Sequence, residues 1–262
     1  MKKIMVIGYG AMAKNVLANL PSDISLGYLL VKPEKVVQTQ KLLGDSVQVI
    51  SKVSQLIGQP DLVVEMAGQS GLKQHIVDVL AKGLDIGVIS VGAFADADFE
   101  ADVRQMAKNH CCQVHILSGA VAGMDGLSAA KIAGLTSVVY QGRKPPQSWQ
   151  GSPAESLIDL SMIKEPTIFF KGTAREAAQM FPANANVAAT IGLSGIGMDH
   201  TLVELIADPT IERNQHHIQV VGEFGEMIIT MAGMPLADNP KTSMLAALSV
   251  AHYCHQLTNT FV

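Results

Sequence analysis

Three observations predict an α/β fold in which a doubly wound parallel sheet is followed by a second α/β domain with a mixed or antiparallel sheet. Short apolar runs alternate with helix-like spacing between Lys3 and about Leu117, a glycine-rich turn follows the first run directly, and beyond Leu117 the runs lengthen and fill with β-branched residues. Near-continuous apolar strands separated by helices are the pattern of a parallel sheet covered on both faces. The first-domain runs are KKIMVIG, ISLGYLLV, VQVIS, DLVVEMAG, LDIGVISVG and CQVHILSG. Between them, residues 10–20, 70–82 and 96–109 carry helical spacing, with Ser70 and Asp96 as N-caps.

In the second half, TSVVYQG, PTIFFKG, TLVELIAD, HIQVVGEF and EMIITMAG read as strands of a mixed or antiparallel sheet. Gly225 and its neighbours read as a hairpin turn between the last two. Thr173-Ala174-Arg175-Glu176 has the form of a capping box and starts a short helix. ANANVAATIGLSG, with Val187, Ile191 and Ser194 along one face, reads as another helix, and the segment from Asn239-Pro240 to Leu257 as a closing helix. There is no internal repeat, and the linker-like tract GRKPPQSWQGSP, residues 142–153, reads as a loop inside the second domain. The expected organisation is a Rossmann-type dinucleotide domain over 1–120, a substrate and dimerisation domain over 121–238, and a C-terminal helix over 239–262 that packs back near the cleft.

Composition narrows the function. The chain has 262 residues, 48% of them hydrophobic, and a net charge of −4; the mean hydropathy is +0.26 and the pI about 6.0. That is ample for a packed core. Lys and Arg are scattered singly, so neither nucleic acid nor an anionic membrane is an expected partner. The apolar run Ile4 to Ile7 is cut by glycine and reads as a first strand rather than a signal peptide, and no run approaches the roughly 20 residues that cross a bilayer. Cys111, Cys112 and Cys254 form neither a disulfide framework nor a spaced metal set, which suits a reducing cytoplasm and small buried thiols.

The strand IMVI runs into Gly8-Tyr9-Gly10-Ala11-Met12-Ala13, a G-x-G-x-x-A form of the dinucleotide fingerprint. Gly8 permits the tight turn, Gly10 lets the backbone approach a pyrophosphate, and Ala13 lets helix pack on strand. Gly8, Gly10, Ala11 and Met12 are therefore candidate cofactor contacts, with Ala67 and Gly68 at the end of the fourth strand. The second strand ends in Val31-Lys32-Pro33-Glu34 rather than in an immediate acidic residue. Lys32 can accept a 2′-phosphate or be a solvated loop lysine, so the expected cofactor is NAD or NADP.

Candidate chemistry lies in NQHHIQV, residues 214–220. Strand alternation puts His216 with Ile218 and Val220, and His217 with the glutamines. Only His216 is oriented for a partly desolvated site, where burial keeps an imidazole neutral and able to act as a base. Asn184 and Asn186 stand at a helix start as caps or as carboxamide contacts, and Arg143, Lys144 and Lys241 are cations able to hold carboxylates or remain solvated.

With GYGAMA, VEMAGQ, SVGA, LSGAVAGMDGL, GRKPP, GTAREAA, PANANVAAT, ADP followed by RNQHHI, and NPKTS in this order, the sequence resembles the L-aspartate dehydrogenase family throughout its length. The resemblance implies NAD(P)-dependent oxidation of L-aspartate to iminoaspartate, which hydrolyses to oxaloacetate and ammonia or feeds NAD biosynthesis, and a homodimer built through the second domain. It places the catalytic histidine of an N-x-H motif at His216, and cofactor contacts at Ala120 in SGA and at Asn186, ahead of Asn184, in NANVAAT. For the two substrate carboxylates the expected donors are Lys241, Thr242 and Ser243, then Arg143, with no metal. The competing readings are a related two-domain reductase of homoserine dehydrogenase or dihydrodipicolinate reductase type, whose families lack this NANVAAT and N-x-H pairing, and a non-catalytic NAD(P)-binding sensor.

Overall fold

The computed structural model describes residues 1–182 and 185–261, apart from the side chains of Ala185, Pro240 and Lys241. The first sheet is built from β1 (Lys2–Ile7), β2 (Ile24–Leu30), β3 (Gln48–Ile50), β4 (Leu62–Glu65), β5 (Ile86–Val88) and β6 (Val114–Ile116). All are parallel, in the order β3-β2-β1-β4-β5-β6, which reverses direction across β1 and β4. The helices between them are α1 (Ala11–Ala18), α2 (Val36–Leu43), α3 (Gln69–Ala81) and α4 (Ala97–Asn109). Alternate residues of β1 enter opposite cores, Met5 and Ile7 with α3 and Ile4 and Val6 with α1, as a sheet covered on both faces requires.

The second domain begins with α5 (Met124–Ala133) and continues through β7 (Leu135–Lys144), β8 (Thr167–Thr173), α6 (Ala174–Met180), α7 (Ala185–Ser194), β9 (Leu202–Ala207), β10 (Gln215–Gly222) and β11 (Gly225–Ala232). Its sheet has the order β11-β10-β7-β9-β8 and is mixed, because β7 and β9 run parallel while the other neighbours are antiparallel. The hairpin turns at Gly225, whose φ of 114° suits a residue without a side chain. Thr173 accepts from the Glu176 amide while the Glu176 carboxylate accepts from the Thr173 amide, which completes the capping box that the spacing predicts.

Asp96 caps α4 by accepting from the Phe99 amide, as expected. Ser70 does not cap α3: the chain enters that helix at Gln69 from Gly68, whose φ of 84° makes the turn one residue earlier. Asn239-Pro240 does not start the closing helix either. Residues 239–243 form β13 (Asn239–Ser243), paired with β12 (Pro235–Leu236), and α8 (Met244–His255) begins only after Ser243. The tract 142–153 is less loop-like than its composition suggests, since its first three residues complete β7 and Trp149 is fully buried against Phe169 and Phe181. The cysteines are not uniformly buried: Cys254 is, Cys112 is half-buried and Cys111 is exposed.

The chain closes on itself through α8, whose Ala247, Val250, Ala251 and Cys254 join the core of Ile4, Val6, Ala13 and Val16. Each fully buried Val or Ile side chain of this set contributes about 1.5–3 kcal/mol. Among the described residues no helix is long and apolar enough to cross a membrane.

Gly8 shows how tightly the first strand-to-helix turn is set. Its φ is 96°, and a Cβ there would lie 2.7 Å from both the Ala67 Cα and the Met66 carbonyl oxygen. Gly8→Ala should therefore lose about 1–3 kcal/mol of stability, read as a fall of several degrees in thermal midpoint, with weaker NADH binding in a fluorescence titration.

Candidate active site

The carboxyl edge of the first sheet, the second sheet's covered face and β13 with the start of α8 enclose a cleft of about 330 Å³. From the dinucleotide side come Met12, Gly119 and Ala120; from the second sheet come Tyr140, Gly142, Lys144 and His216; from β13 come Thr242 and Ser243. A cavity of similar volume, about 340 Å³, lies beside α4 and β6 and includes neither the glycine turn nor His216.

The glycine turn fits a dinucleotide. Gly8 packs against the Ala67 backbone, whereas a Cβ on Gly10 would meet nothing within 4 Å, so the start of α1 is open for a phosphate to approach its backbone N–H groups. Ala67 and Gly68 are exposed beside this turn, and Ala11 begins the helix. Lys32 is exposed at the end of β2, outside the residues that line the cleft.

Beneath this edge sits Glu65, fully buried. One carboxylate oxygen accepts from the Ala67 amide at 2.6 Å and the Ser90 hydroxyl at 2.9 Å, and the other from the Ser90 amide at 3.1 Å. The group thus ties the ends of β4 and β5 together. Burial raises its pKa to about 7 against the pull of these donors.

On the second sheet, β10 has alternating burial that places His216, Ile218 and Val220 on the covered face and Gln215, His217 and Gln219 on the other. His216 is 7% exposed, and its Nδ1 lies 2.9 Å from the Tyr140 hydroxyl. Burial, and then the positive charge of Lys144, hold the His216 pKa down to about 4, so the ring is neutral over the physiological range. His217 faces away and bonds Thr230 at 2.9 Å.

Residues 140, 142 and 144 share one face of β7, so Lys144 points into the cleft while Arg143 does not. Arg143 is instead paired with the buried carboxylate of Asp208 at 3.2 Å. The expectation that Arg143 reaches substrate is thus corrected by strand alternation, and the cation in the cleft is its neighbour. The Lys144 ammonium stands 4.8 Å from the centroid of the Trp149 ring, and burial lowers its pKa to about 8. Of the proposed hydroxyl donors, Thr242 accepts from Asn239 at 3.0 Å. Ser243 Oγ is buried with no partner among the described residues, as a hydroxyl waiting for a ligand would be. Asn184 and the side chain of Lys241 lie outside the described residues.

Asn186 lines the cleft, and its Oδ1 accepts from the Gly92 amide at 2.9 Å, joining α7 to the turn after β5. Ala120 also lines the cleft, next to Gly119, whose amide donates to Ser249 Oγ at 3.2 Å. Sequence reasoning missed Tyr140 and the bonds between Glu65 and Ser90; the signal for Tyr140 was its even spacing from Lys144 along β7, which has meaning only once the register with His216 is known.

A dinucleotide turn and a neutral, desolvated imidazole facing one cleft define a two-domain nicotinamide-dependent oxidoreductase. Comparison with known proteins narrows the class. Residues 125–257 match the family model "Aspartate dehydrogenase, C-terminal", and residues 8–117 match "Homoserine dehydrogenase, NAD binding domain". The chain is 54% identical to an L-aspartate dehydrogenase of Acinetobacter baumannii, with 97% of each chain covered. It is 53% identical to one of Psychrobacter cryohalolentis over 98% of each chain. The crystal structure of aspartate dehydrogenase from Thermotoga maritima superposes with a TM-score of 0.79 at 25% identity, covering 100% of this chain and 99% of that one. A dihydrodipicolinate reductase from a Paenisporosarcina species shares the fold alone, at 15% identity and a TM-score of 0.53 over 98% of this chain and 94% of that one. The chain belongs to the L-aspartate dehydrogenase family.

The Glu65 anchor gives a test of stability against pH. Glu65→Gln turns an amide –NH2 toward a donor that the carboxylate accepted, at a cost of about 1–3 kcal/mol. The folded pKa of about 7 lies above the ordinary 4.5, so the group's contribution is fully present below 4.5 and fades as pH rises through 7. Chemical denaturation should show the gap between wild type and variant widest in acid and narrowing toward pH 8.

Proposed function

We propose that this chain oxidises L-aspartate to iminoaspartate with NAD or NADP, with hydrolysis to oxaloacetate and ammonia, and catalyses the reverse reductive amination. The observation that carries the reading is the neutral imidazole of His216 facing, with Lys144, the same cleft as the dinucleotide-side residues Met12 and Ala120. The nicotinamide, when bound, accepts hydride from the substrate Cα. Gly8 and Gly10 admit the pyrophosphate, Ala67 and Gly68 border it, and Ala120 and Asn186 flank the nicotinamide end.

His216 takes the proton that the substrate amine must lose as the C=N bond forms; once that proton has passed to solvent, the neutral ring removes a proton from the water that attacks the imine carbon. Lys144 supplies a half-buried positive charge for one substrate carboxylate. Ser243 Oγ, with Thr242 and Lys241 on the same strand, supplies donors for the other. Arg143 has no such role. The same reading makes the enzyme cytoplasmic and its imine product a feed for NAD biosynthesis. It also makes the protein a homodimer across the open face of the second sheet, where Ile228, Gln219, Val139 and Leu202 stand in one cross-strand row.

The assay is direct: NADH and NADPH oxidation with oxaloacetate plus ammonia, and reduction of each oxidised cofactor with L-aspartate. Activity with neither pair overturns the substrate assignment. His216→Ala should lower kcat by roughly 10²- to 10⁴-fold while His217→Ala keeps most of it; unchanged turnover in the first would remove the role given to His216, whereas no turnover of any amino acid by the native protein would favour the sensor reading.

Succinate, a dicarboxylate without an amine, isolates the clamp. Its binding should weaken as pH rises through about 8, where free-enzyme Lys144 loses its charge. Lys144→Met should weaken it by roughly 10- to 100-fold at pH 7 and abolish that pH dependence.

A further inference from the structure

The His216 ring has two nitrogens, and among the described residues its one hydrogen-bond partner is the Tyr140 hydroxyl, 2.9 Å from Nδ1. Both residues are buried, at 4% and 7% exposure, and their rings lie nearly parallel, with an interplanar angle of 24°. Opposite His216 in the β7–β10 ladder stands Gly142. Its backbone is not in the left-handed region, so conformational freedom does not explain the glycine. Space does: a Cβ there would lie 2.8 Å from the Tyr140 hydroxyl oxygen, 3.2 Å from its Cζ and 3.3 Å from Leu205 Cδ2.

We propose that Tyr140 is the positioning residue that holds Nδ1 of His216 and so assigns the proton transfer to Nε2, and that Gly142 is a glycine because any side chain would evict the hydroxyl. The inference rests on the reading of His216 as the proton acceptor.

The chemistry favours a phenol in this place. To act as a base at Nε2, the neutral ring must carry its proton on Nδ1, and Nδ1–H then donates to the tyrosine oxygen. When Nε2 has taken the amine proton, the ring is a cation and the same Nδ1–H bond remains. In reductive amination Nε2–H returns that proton to nitrogen. Should the ring rest as the other tautomer, the hydroxyl turns and donates to a bare Nδ1. One heavy-atom geometry therefore serves every protonation state, because a hydroxyl can both donate and accept. A carboxylate could only accept, and its charge would raise the imidazole's pKa. Burial pushes the Tyr140 pKa up, so the phenol stays neutral and the imidazole stays uncharged. The titratable described groups facing the ring are Tyr140 and Lys144, both on β7.

The test uses Tyr140→Phe and Gly142→Ala in the full-length enzyme. Each should lower kcat by on the order of tenfold or more with little change in the cofactor KM. The ¹⁵N resonances of the His216 ring should move toward the tautomer mixture of a free imidazole, a readout that a merely structural residue would leave alone. In the Tyr140→Phe background, Gly142→Ala should cost little further kcat, because the hydroxyl it displaces is already gone. Wild-type kcat and unchanged ¹⁵N shifts in Tyr140→Phe overturn the proposal even if Gly142→Ala fails to fold. Equal losses from Gly142→Ala in both backgrounds overturn the role given to Gly142. If instead His216→Ala keeps its turnover, the underlying reading of His216 falls, and that result is separable from the others.

Discussion

The antiparallel register of β7 and β10 is the constraint on which the site depends. With His216 opposite Gly142, the pleat directs Tyr140, Lys144 and His216 to the covered face and leaves Gln141, Arg143 and His217 on the other. A slip of one residue would exchange the two sets and bring Arg143 or His217 to the cleft. The register is held by what it buries: Val138, Tyr140, Ile218 and Val220 all enter one core, so exposing them would cost several kcal/mol. Packing energy thereby fixes the placement of the His216 imidazole and the Lys144 ammonium in the cleft.

A second set of contacts holds that face against the dinucleotide sheet. Asn186 bonds the Gly92 amide from α7. Arg175, on α6, donates to the carbonyls of Phe94 and Ala95 at 3.1 Å while its guanidinium pairs with Asp199 and Glu100. Arg175 and Glu100 are each 17% exposed at the side chain, so that pair is partly shielded from water, whereas Asp199 at 59% adds a surface ion pair worth less. From the other direction α8 packs on α1, and its Ser249 accepts from the Gly119 amide at 3.2 Å. Glu65 adds the anchor beneath the sheet edge. The cleft is thus bounded by elements from both halves and from the end of the chain, each tied by bonds that do not involve substrate.

The strands were legible in the sequence because buried strands of a parallel sheet must be almost wholly apolar, and the second-domain strands because β-branched runs alternate with turn residues. The short helices α2 and α5 were not, since eight- and ten-residue helices leave only two or three turns of periodicity and α5 starts inside a glycine-rich tract. The start of α8 was misplaced for a different reason. Asn-Pro is a sound local helix opening, but here residues 239–243 pair with β12, and a partner elsewhere in the chain outweighs local preference. Ser70 lost its cap role to Gly68 through a positive φ that residue type permits but does not demand.

The site divides along the same line. His216 could be read from strand alternation and its N-x-H context, and the dinucleotide turn from Gly8 and Gly10 beside a strand, because these signals lie within a few residues of one another. Local pattern therefore determined the fold class, the glycine turn and which of the two histidines faces the cleft. The choice of Lys144 over Arg143, the Tyr140 contact on Nδ1 and the reason for Gly142 were decided only by the tertiary structure. Each depends on which residue of β7 faces which residue of β10, about 75 positions apart, and pairing at that distance is set by the burial of a shared core rather than by any short stretch of sequence.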